Sequence, residues 1–359
     1  MTTAVTIRHR HGEYPVYLGA GLLNDLPAFA DRHLQGRRMA VITDRNVARA
    51  VPTPLEVPTL VIAPGEQSKT RRKWAELSDK LLDLGFGRDS SVVALGGGVV
   101  GDLTGFVAAT LLRGVPWLQV PTTLLAMVDA SVGGKTGVDT SHGKNLVGAF
   151  HPPVAVVADP HTLRTLPEPV YRAGLAEVVK HGLVADAGYL AWIEREATGI
   201  GQRDETLLTR MIHRSIEIKA RIVSEDEFET GRRAVLNAGH TVAHAIESVS
   251  GFAVSHGEAV AIGLVAEAAL AEELGLAQPG LRAGLRDLLQ TLGLPVTLPA
   301  DFLVDDLLAA MGHDKKNRDG RIRFALAVSA GEMARDGERW TVVAPPDQIG
   351  AALRTVLPG

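Results

Sequence analysis

The chain contains 359 residues, of which 46% are hydrophobic and 22% are charged, and this length favours two domains over a single core. Its 37 Lys and Arg and 41 Asp and Glu give a net charge of −4, and no segment concentrates positive charge as a nucleic-acid-binding surface would. The absence of Cys excludes disulfides, thiolate metal ligands and a Cys nucleophile, so any metal ion must be held by His and carboxylate groups.

The sequence carries no signal for secretion or membrane insertion. The N-terminal stretch MTTAVTIRHRHGEYPV lacks the apolar core of a signal peptide. Charged residues or Gly interrupt every long apolar run before it could span a bilayer. We therefore expect a cytoplasmic protein without membrane or nucleic-acid partners.

The first part of the chain, up to about residue 160, alternates short β-branched runs with amphipathic stretches. This alternation predicts a parallel sheet covered by helices. Two opening runs, 4–7 and 14–18, favour an additional antiparallel pair at a sheet edge. The predicted strands of the parallel sheet are Met39 to Thr43, Thr59 to Ile62, Ser91 to Leu95, Trp117 to Val120 and Val154 to Val157.

One helix of this part can be placed from its spacing. Four apolar residues recur at intervals of three and four and are followed by Gly85, where a left-handed helix cap would lie. They are Trp74, Leu77, Leu81 and Leu84.

Beyond residue 160 the β-branched runs become rare, and helical periodicity continues through residues 170 to 290. The sequence therefore predicts an α/β domain over residues 1–160 and an all-α domain over residues 161–359. Two late runs, 321–328 and 340–343, could form a small hairpin.

A Gly-rich turn follows the third predicted parallel strand in SVVALGGGVVGDLTGF. Glycines that open a helix let backbone N–H groups approach a pyrophosphate, although a tight strand-to-helix turn explains the motif equally well. Asp102 could bond cofactor hydroxyls or cap the turn. The glycines are Gly96, Gly97, Gly98 and Gly101.

Polar residues follow two further predicted strands. Asp44 and Asn46 end one strand, and Glu66 and Lys69 follow another. Polar side chains at several strand ends predict a ligand crevice at the carboxyl edge of a parallel sheet.

The block VPTTLLAMVDASVGGKTGVDTSHGKNLVGAF places lysines beside paired glycines. Lysines on such loops bind phosphate and carboxylate, although solvated loop lysines are the alternative. Arg113, alone in the apolar stretch ATLLRGVPWL, is expected to be buried and so to need an anion. The polar residues of the block are Thr122, Thr123, Asp129, Lys135, Lys144 and Asn145.

The helical half contains a cluster of His and charged residues. Arg233, Asn237, His240 and His244 are separated by four, three and four residues, which predicts one buried face of a single helix. Three histidines and a glutamate favour a His/carboxylate metal site over separate core histidines. Spacing leaves open which histidines bind, although His240 and His244 form an i, i+4 pair. The remaining members are Glu177, Lys180, Lys219 and His256.

Near the C-terminus, MGHDKKNRDGRIRF places Asp314, Lys315, Lys316 and Asn317 before a Gly turn. By itself this run is typical of a solvated turn.

Taken in order, these motifs resemble the 3-dehydroquinate synthase family. The resemblance spans residues 44 to 317 and is most specific in the block from Leu112 to Pro153, and it includes GGGVVGDLTGF, AGLAEVVKHG, LNAGHTVAHAIE, SHGEAVAIG and HDKKN. It implies a Rossmann-like NAD-binding domain over residues 1–160 and a helical metal- and substrate-binding domain over residues 161–359. Ala238 departs from the aromatic residue usual in this family.

The resemblance also implies a role for each matching residue. The implied metal ligands are Glu177, His240 and His256, for zinc or cobalt, with His244 in a proton-handling shell. The implied NAD contacts are Asp44, Asn46, Glu66, Lys69, Gly97, Asp102, Thr122, Thr123, Lys144 and Thr162. The implied substrate contacts are Arg113, Asp129, Lys135, Asn145, Lys180, Lys219, Arg233, Asn237 and one of Lys315 and Lys316, of which the second is preferred.

The implied reaction converts 3-deoxy-D-arabino-heptulosonate 7-phosphate to 3-dehydroquinate and phosphate, in the shikimate pathway of aromatic amino acid biosynthesis. It proceeds by transient oxidation by NAD, elimination of phosphate, re-reduction and intramolecular aldol closure. The alternatives are another sugar phosphate cyclase, of the 2-deoxy-scyllo-inosose or 2-epi-5-epi-valiolone synthase type, a metal-dependent polyol dehydrogenase, or a catalytically silent sensor. The family commonly forms homodimers.

Overall fold

The structure is a computed structural model that describes residues 3–312 and 321–358. It contains two compact units: unit 1 comprises the residues up to Pro167 together with Leu208–Ser224, and unit 2 comprises Glu168–Leu207 together with the residues from Glu225 onward. The limits 1–160 and 161–359 given above stay a prediction about domains.

The strands and helices are numbered in chain order. The strands are β1 (Thr3–His9), β2 (Gly12–Leu18), β3 (Arg38–Asp44), β4 (Thr59–Ile62), β5 (Ser90–Gly96), β6 (Trp117–Pro121), β7 (Lys135–Thr140), β8 (Gly143–Phe150), β9 (Ala155–Ala158), β10 (Arg323–Phe324), β11 (Ala327–Ser329), β12 (Glu332–Met333) and β13 (Val342–Val343). The helices are α1 (Leu26–Leu34), α2 (Arg45–Ala50), α3 (Arg71–Asp83), α4 (Gly98–Thr110), α5 (Glu168–Ala185), α6 (Ala187–Gly201), α7 (Glu205–Glu225), α8 (His240–Val249), α9 (His256–Glu273), α10 (Leu281–Thr291), α11 (Val304–Gly312) and α12 (Pro346–Arg354).

Unit 1 contains a seven-stranded sheet in the order β1-β2-β9-β6-β5-β3-β4. Only β1 and β2 pair in antiparallel fashion within it, and the other neighbours are parallel. The five predicted parallel strands and the antiparallel edge pair are confirmed. Both faces of the sheet are covered: Val92 and Ala94 pack in one apolar cluster, and Val93 and Leu95 in the other. This explains why β5 is apolar without alternation.

Helix α3 forms as its spacing predicts. The Thr70 side chain accepts a hydrogen bond from the Lys73 backbone N–H at 3.2 Å and caps the helix start. Leu77 and Leu81 are buried against the sheet, and Gly85 has a φ of 75° just beyond the helix end.

Two features of unit 1 were not predicted. Strands β7 and β8 form a separate antiparallel pair inside the block taken above as loops. Residues Ala126–Ala130 form a short π-helix that ends near Asp129. Their glycines and alternating small residues give no clear strand or helix period.

Unit 2 is built from helices packed around α9. This helix is rich in Ala and Gly and is buried around most of its circumference, from Gly257 to Ala271. Four short strands form two antiparallel pairs, β10 with β13 and β11 with β12. The pair of β10 with β13 joins the runs 321–328 and 340–343, so the predicted pairing of these runs is confirmed. None of the helices in the described ranges is long and apolar enough to cross a membrane.

Candidate active site

The carboxyl edge of the sheet in unit 1 carries the polar residues predicted to face a ligand. Strand β3 ends at Asp44, whose Oδ1 accepts hydrogen bonds from the backbone N–H groups of Asn46 at 2.8 Å and Val47 at 3.0 Å. Asp44 thus caps α2, and Asn46 lies exposed in its first turn. Strands β4, β3 and β5 are neighbours, so the turns that follow them lie at one edge of the sheet.

The N-terminus of α4 presents backbone amides at this edge. Gly97 is the N-cap residue and has no side chain to accept hydrogen bonds from the first turn. A Cβ atom at Gly97 would lie 3.0 Å from Thr123 Cγ2, so the turn is packed closely against the end of β6. Within the described part of the chain, the buried Thr122 hydroxyl has no hydrogen-bond partner. A helix N-terminus beside an unused hydroxyl fits the phosphates of a dinucleotide.

A cluster of four polar residues lies beside this turn, and we call it the lysine cluster: Glu66, Lys69, Asp102 and Asn145. The buried Lys69 ammonium donates to Asp102 Oδ2 at 2.6 Å and to Asn145 Oδ1, and it lies 3.7 Å from Glu66 Oε1. Burial lowers the pKa of Lys69, but the charges of Asp102 and Glu66 outweigh it, so the pKa is raised. The lysine is therefore a fixed positive charge.

Asp139 belongs beside the lysine cluster, although sequence reasoning missed it. Its Oδ1 accepts a hydrogen bond from the Asn145 backbone N–H at 2.8 Å, and Asn145 has a φ of 55°. The Asp139 charge also acts on Glu66 and Lys69. The signal was an aspartate between two lysines in KTGVDTSHGKN, which alone does not differ from a turn residue.

Two residues that were implied separately as substrate contacts meet within unit 1. Lys219 on α7 is buried, and its ammonium donates to both the Oδ1 and the backbone oxygen of Asp129 at 2.6 Å. Thr162 is buried too, and its hydroxyl donates to the backbone oxygen of Asp159 at 2.8 Å.

The cationic residues of the long block differ in exposure. Lys135 is exposed at the start of β7, whereas Lys144 is partly buried on β8 and its charge lowers the pKa of Glu66 against the larger effect of burial, which raises it. The expectation that Arg113 is buried is wrong. Arg113 is exposed, because Leu112 and Arg113 both have positive φ angles in a short turn that directs the side chain away from the apolar core.

Unit 2 brings together the three residues implied as metal ligands. One ligand atom from each of Glu177, His240 and His256 lies within 4.8 Å of the others. Glu177 Oε1 is 3.6 Å from His240 Nε2 and 3.5 Å from His256 Nε2. The ammonium of Lys180 pairs with Glu177 Oε2. We call Glu177, Lys180, His240 and His256 the histidine cluster.

Close helix packing brings these residues together. A Cβ atom at Gly257 would lie 2.1 Å from the Ala173 backbone oxygen, so the start of α9 is in direct backbone contact with α5. Glu177 follows Ala173 by one helical turn, and His256 precedes Gly257. The absence of a side chain at residue 257 therefore allows the imidazole of His256 to reach the buried carboxylate.

The surroundings hold Glu177 ionised and His240 neutral, which are the forms in which a carboxylate and an imidazole bind a metal ion. Burial raises the pKa of Glu177, but the nearby Lys180 charge and His256 outweigh it and hold the pKa well below its ordinary value. Burial and Lys180 hold the pKa of His240 well below its ordinary value. Burial lowers the pKa of His256, but the carboxylates of Glu177 and Glu247 near the two ring nitrogens outweigh this and raise it to about 9.

The donor set also fits a divalent metal ion. In the described ranges, neither buried oxygen of Glu177 has a hydrogen-bond partner of suitable geometry. His240 Nδ1 lies 3.1 Å from the Ala238 backbone oxygen, so that its Nε2 is the nitrogen available to a ligand. One carboxylate and two imidazoles match the ligand types of zinc sites that keep a position for substrate.

The prediction of one helix with four polar residues on one face is wrong. Arg233 and Asn237 belong to a 3-10 helix, Arg232–Asn237, which ends before α8 begins at His240. The intervening Gly239 has a φ of 78°, which no α-helix accommodates.

The four residues accordingly have different surroundings. Arg233 is buried and donates to the Glu227 backbone oxygen, and Asn237 Nδ2 donates to Glu229 Oε1 at 2.6 Å. His244 is exposed rather than buried, with its ring centroid 5.6 Å from that of His240. It lies one turn beyond His240 on α8, outside the group formed with Glu177.

Comparison with known proteins places the chain in a family. Two family profiles match, "3-dehydroquinate synthase N-terminal" over residues 59–173 and "3-dehydroquinate synthase C-terminal" over residues 174–317. A 3-dehydroquinate synthase from Symbiobacterium thermophilum is 46% identical over 352 residues, which cover 95% of this chain and 96% of that protein. The chain belongs to the 3-dehydroquinate synthase family.

Solved structures of related cyclases share the fold of this 3-dehydroquinate synthase family member. A 2-deoxy-scyllo-inosose synthase in complex with carbaglucose-6-phosphate, NAD+ and Co2+ is 26% identical with a TM-score of 0.88, covering 99% of this chain and 100% of that chain. A 2-epi-5-epi-valiolone synthase from Streptomyces hygroscopicus with NAD+ and Zn2+ bound is 28% identical with a TM-score of 0.84, covering 96% of each. The predicted family and the fold class, an α/β domain followed by a helical one, are confirmed.

The last of the implied substrate contacts lies near the C-terminus of the family match. Lys315 and Lys316 lie outside the residues that the structure describes, and so do Asp314 and Asn317. Their implied contact with substrate stays a prediction.

Proposed function

We propose that this protein is a 3-dehydroquinate synthase that converts 3-deoxy-D-arabino-heptulosonate 7-phosphate to 3-dehydroquinate and inorganic phosphate. The observation that carries the proposal is the buried carboxylate of Glu177 facing the Nε2 atoms of His240 and His256 in a chain 46% identical to a 3-dehydroquinate synthase. The identity to the two other cyclases is 26% and 28%, so the likeness to the synthase is the more specific one.

The two cofactors would be a divalent ion and NAD. Glu177, His240 and His256 would hold zinc, which this oxygen and nitrogen donor set suits, with cobalt as the alternative. When bound, the ion supplies a Lewis acid and NAD supplies transient oxidation of the substrate. The remaining chemistry depends on how the chain's own residues bind and orient an anionic substrate.

The NAD contacts would come from the carboxyl edge of the sheet in unit 1. The amides that follow Gly97 suit the pyrophosphate, and the lysine cluster holds its ammonium and carboxylates in fixed positions beside them. The full proposed set is Asp44, Asn46, Glu66, Lys69, Gly97, Asp102, Thr122, Thr123, Lys144 and Thr162.

The substrate carries a carboxylate and a phosphate, and the proposed substrate contacts are mainly cationic. Lys219 is held by Asp129, so its ammonium is fixed in direction and would stabilise negative charge as phosphate departs. Lys180 contacts Glu177 and would position the substrate next to the metal ligands. His244 would hold a proton in this region. The other proposed contacts are Arg113, Lys135, Asn145, Arg233, Asn237 and Lys316.

The test is phosphate release by the purified protein loaded with zinc and NAD. We expect 3-deoxy-D-arabino-heptulosonate 7-phosphate to release phosphate and to yield 3-dehydroquinate, identified by mass spectrometry, without accumulation of NADH. Parallel reactions contain a heptulose 7-phosphate or glucose 6-phosphate. Turnover of either of these in place of the first substrate would identify another cyclase. NADH accumulation with a simple polyol would identify a dehydrogenase.

A further inference from the structure

Helices α8 and α9, which carry the two histidines of the histidine cluster, each also carry a buried carboxylate. They belong to Glu247 on α8 and Glu267 on α9. His240 is the first residue of α8, and His256 is the first residue of α9. Each of the two helices therefore provides one histidine at its N-terminus and one carboxylate further along.

Glu267 caps the N-terminus of α8 from the neighbouring helix. Its Oε2 accepts a hydrogen bond from the Gly239 backbone N–H at 2.7 Å, and its Oε1 accepts from those of Thr241 at 3.1 Å and Val242 at 3.3 Å. These amides lie on both sides of His240 in the chain. A carboxylate at this position satisfies amides that have no partner within the helix and interacts favourably with the helix dipole.

The cap has to come from α9, because the N-cap residue of α8 is Gly239. A Cβ atom there would lie 2.9 Å from Leu264 Cγ, and one at Gly263 would lie 2.1 Å from the Gly239 backbone oxygen. The start of α8 thus packs directly on α9, which leaves no room for a capping side chain of its own. Glu267 follows Gly263 by one helical turn, so its carboxylate reaches the N–H groups at the start of α8.

Glu247 contacts the histidine on the other helix. Its Oε1 lies 3.6 Å from His256 Nδ1, while the Nε2 of the same ring lies 3.5 Å from Glu177 Oε1. An acceptor on the Nδ1 side fixes which nitrogen faces the metal ligands and the rotation of the ring.

We propose that Glu247 and Glu267 are positioning residues of the metal site, and that the carboxylate on each helix supports the histidine on the other helix. Glu267 holds the backbone that carries His240, and Glu247 holds the ring of His256. This inference rests on the proposed function, because it requires that the histidine cluster binds a divalent ion. Loss of such supporting contacts typically costs 10- to 100-fold in metal affinity.

The experiment measures metal binding rather than turnover. Wild type, Glu267→Gln and Glu247→Gln are prepared without metal, and the Kd for Zn²⁺ is measured by competition with a chromogenic chelator. We expect each variant to raise the Kd about tenfold or more. With Co²⁺ as the probe, we expect the visible absorption of the bound ion to change, because the ligand geometry changes.

Glu272→Gln is the matched control. Glu272 is also on α9 and caps α10, accepting hydrogen bonds from the backbone N–H groups of Gly280 at 2.9 Å and Arg282 at 3.0 Å. The N-cap residue of α10 is again a glycine, but none of the three proposed ligands is on that helix. We expect Glu272→Gln to lower the unfolding temperature of the metal-free protein and to leave the Kd and the spectrum unchanged.

The outcomes separate the two proposals. If wild type binds Zn²⁺ and both glutamine variants retain its Kd and Co²⁺ spectrum, the positioning proposal is overturned, whatever happens to their unfolding temperatures. If wild type binds neither ion, the proposed metal site fails and this inference fails with it. If Glu267→Gln does not fold, Glu247→Gln decides, since it removes no backbone cap.

Discussion

The lysine cluster of unit 1 and the histidine cluster of unit 2 use buried charge in different ways. In the lysine cluster, the Lys69 ammonium is satisfied by Asp102, Glu66 and Asn145, so opposite charges stabilise one another before any ligand binds. In the histidine cluster, the Glu177 carboxylate faces a single ammonium and two imidazoles, and its oxygens lack well-formed hydrogen bonds in the described part of the chain.

The difference indicates two kinds of ligand. A dinucleotide can be bound by backbone amides and by side chains that are already paired, because its contacts are spread over many atoms. A metal ion concentrates charge at one point and needs several donor atoms that converge on that point. Variants in each cluster test whether the lysine cluster serves the dinucleotide and the histidine cluster serves the metal ion.

The largest effect is expected for His256→Ala. We expect loss of stoichiometric zinc and a fall in kcat of about 10³-fold or more, because the metal contributes several kcal/mol to stabilisation of the transition state. Metal content is measured by atomic emission and turnover by phosphate release. His213→Ala removes a partly exposed histidine of α7 and serves as the control. Stoichiometric zinc in a folded His256→Ala protein would contradict the ligand assignment.

A smaller loss is expected for Lys69→Met, which leaves the carboxylates of the lysine cluster unpaired. Because Asp102 and Glu66 keep 22% and 40% exposure, we expect the free energy of unfolding to fall by about 2 kcal/mol, less than for a fully buried pair. Urea unfolding measures this value, and a fluorescence titration should show weaker NAD binding. The double variant Lys69→Met, Asp102→Asn should recover part of the stability. Additive losses would show that the two residues are not coupled.

Lys135→Ala and Lys144→Ala should affect different ligands. Lys135 is exposed at the start of β7, and we expect its removal to raise the KM for substrate about tenfold while the Kd for NAD changes little. Lys144 acts on Glu66 of the lysine cluster, so its removal should instead weaken NAD binding. Steady-state kinetics and NAD titration of both variants check this. A large loss of NAD affinity in Lys135→Ala would move that lysine to the cofactor contacts.

The smallest effect is expected on the surface of α3. Hydrogen bonds from Lys73 and Lys80 lower the pKa of Glu76 from its ordinary value of 4.5 to about 2. Because the folded-state pKa is the lower one, this contribution is present above pH 4.5 and is lost as the pH falls toward 2. The Glu76 side chain is 39% exposed, so solvent screens the pairs and Glu76→Gln should cost only about 0.5 kcal/mol at pH 7 and less in high salt. Urea unfolding at pH 7 and pH 3 would show it; an equal cost at both pH values would contradict the ion pairing.

The sequence predicted the sheet of unit 1 well, because alternating apolar runs and glycine turns depend on local physics. The same holds for α3, where Thr70 and Gly85 bound one amphipathic stretch. The family and the three ligand candidates came from the resemblance of the ordered motifs, since spacing alone leaves open which histidines bind.

The errors arose where the apolar spacing of a segment does not decide its local structure. Residues 233–244 have a perfect helical spacing, yet close packing of Gly239 against Gly263 interrupts the helix. Arg113 was expected to be buried because its neighbours are apolar, but two positive φ angles turn it outward. Neither feature is visible from spacing within one segment. The pairing of β7 with β8 is local, but the glycines and small residues of that block give no clear strand period.

The division of unit 1 along the chain has a consequence for biosynthesis. Its last segment, Leu208–Ser224, comes after the first 40 residues of unit 2, Glu168–Leu207, have been made. During translation, unit 1 therefore cannot finish folding when its sheet emerges, and the ion pair of Asp129 with Lys219 has to wait for α7. A polypeptide cut after Pro167 would lack that pair, so the sheet alone is a poor candidate for an independently expressed fragment.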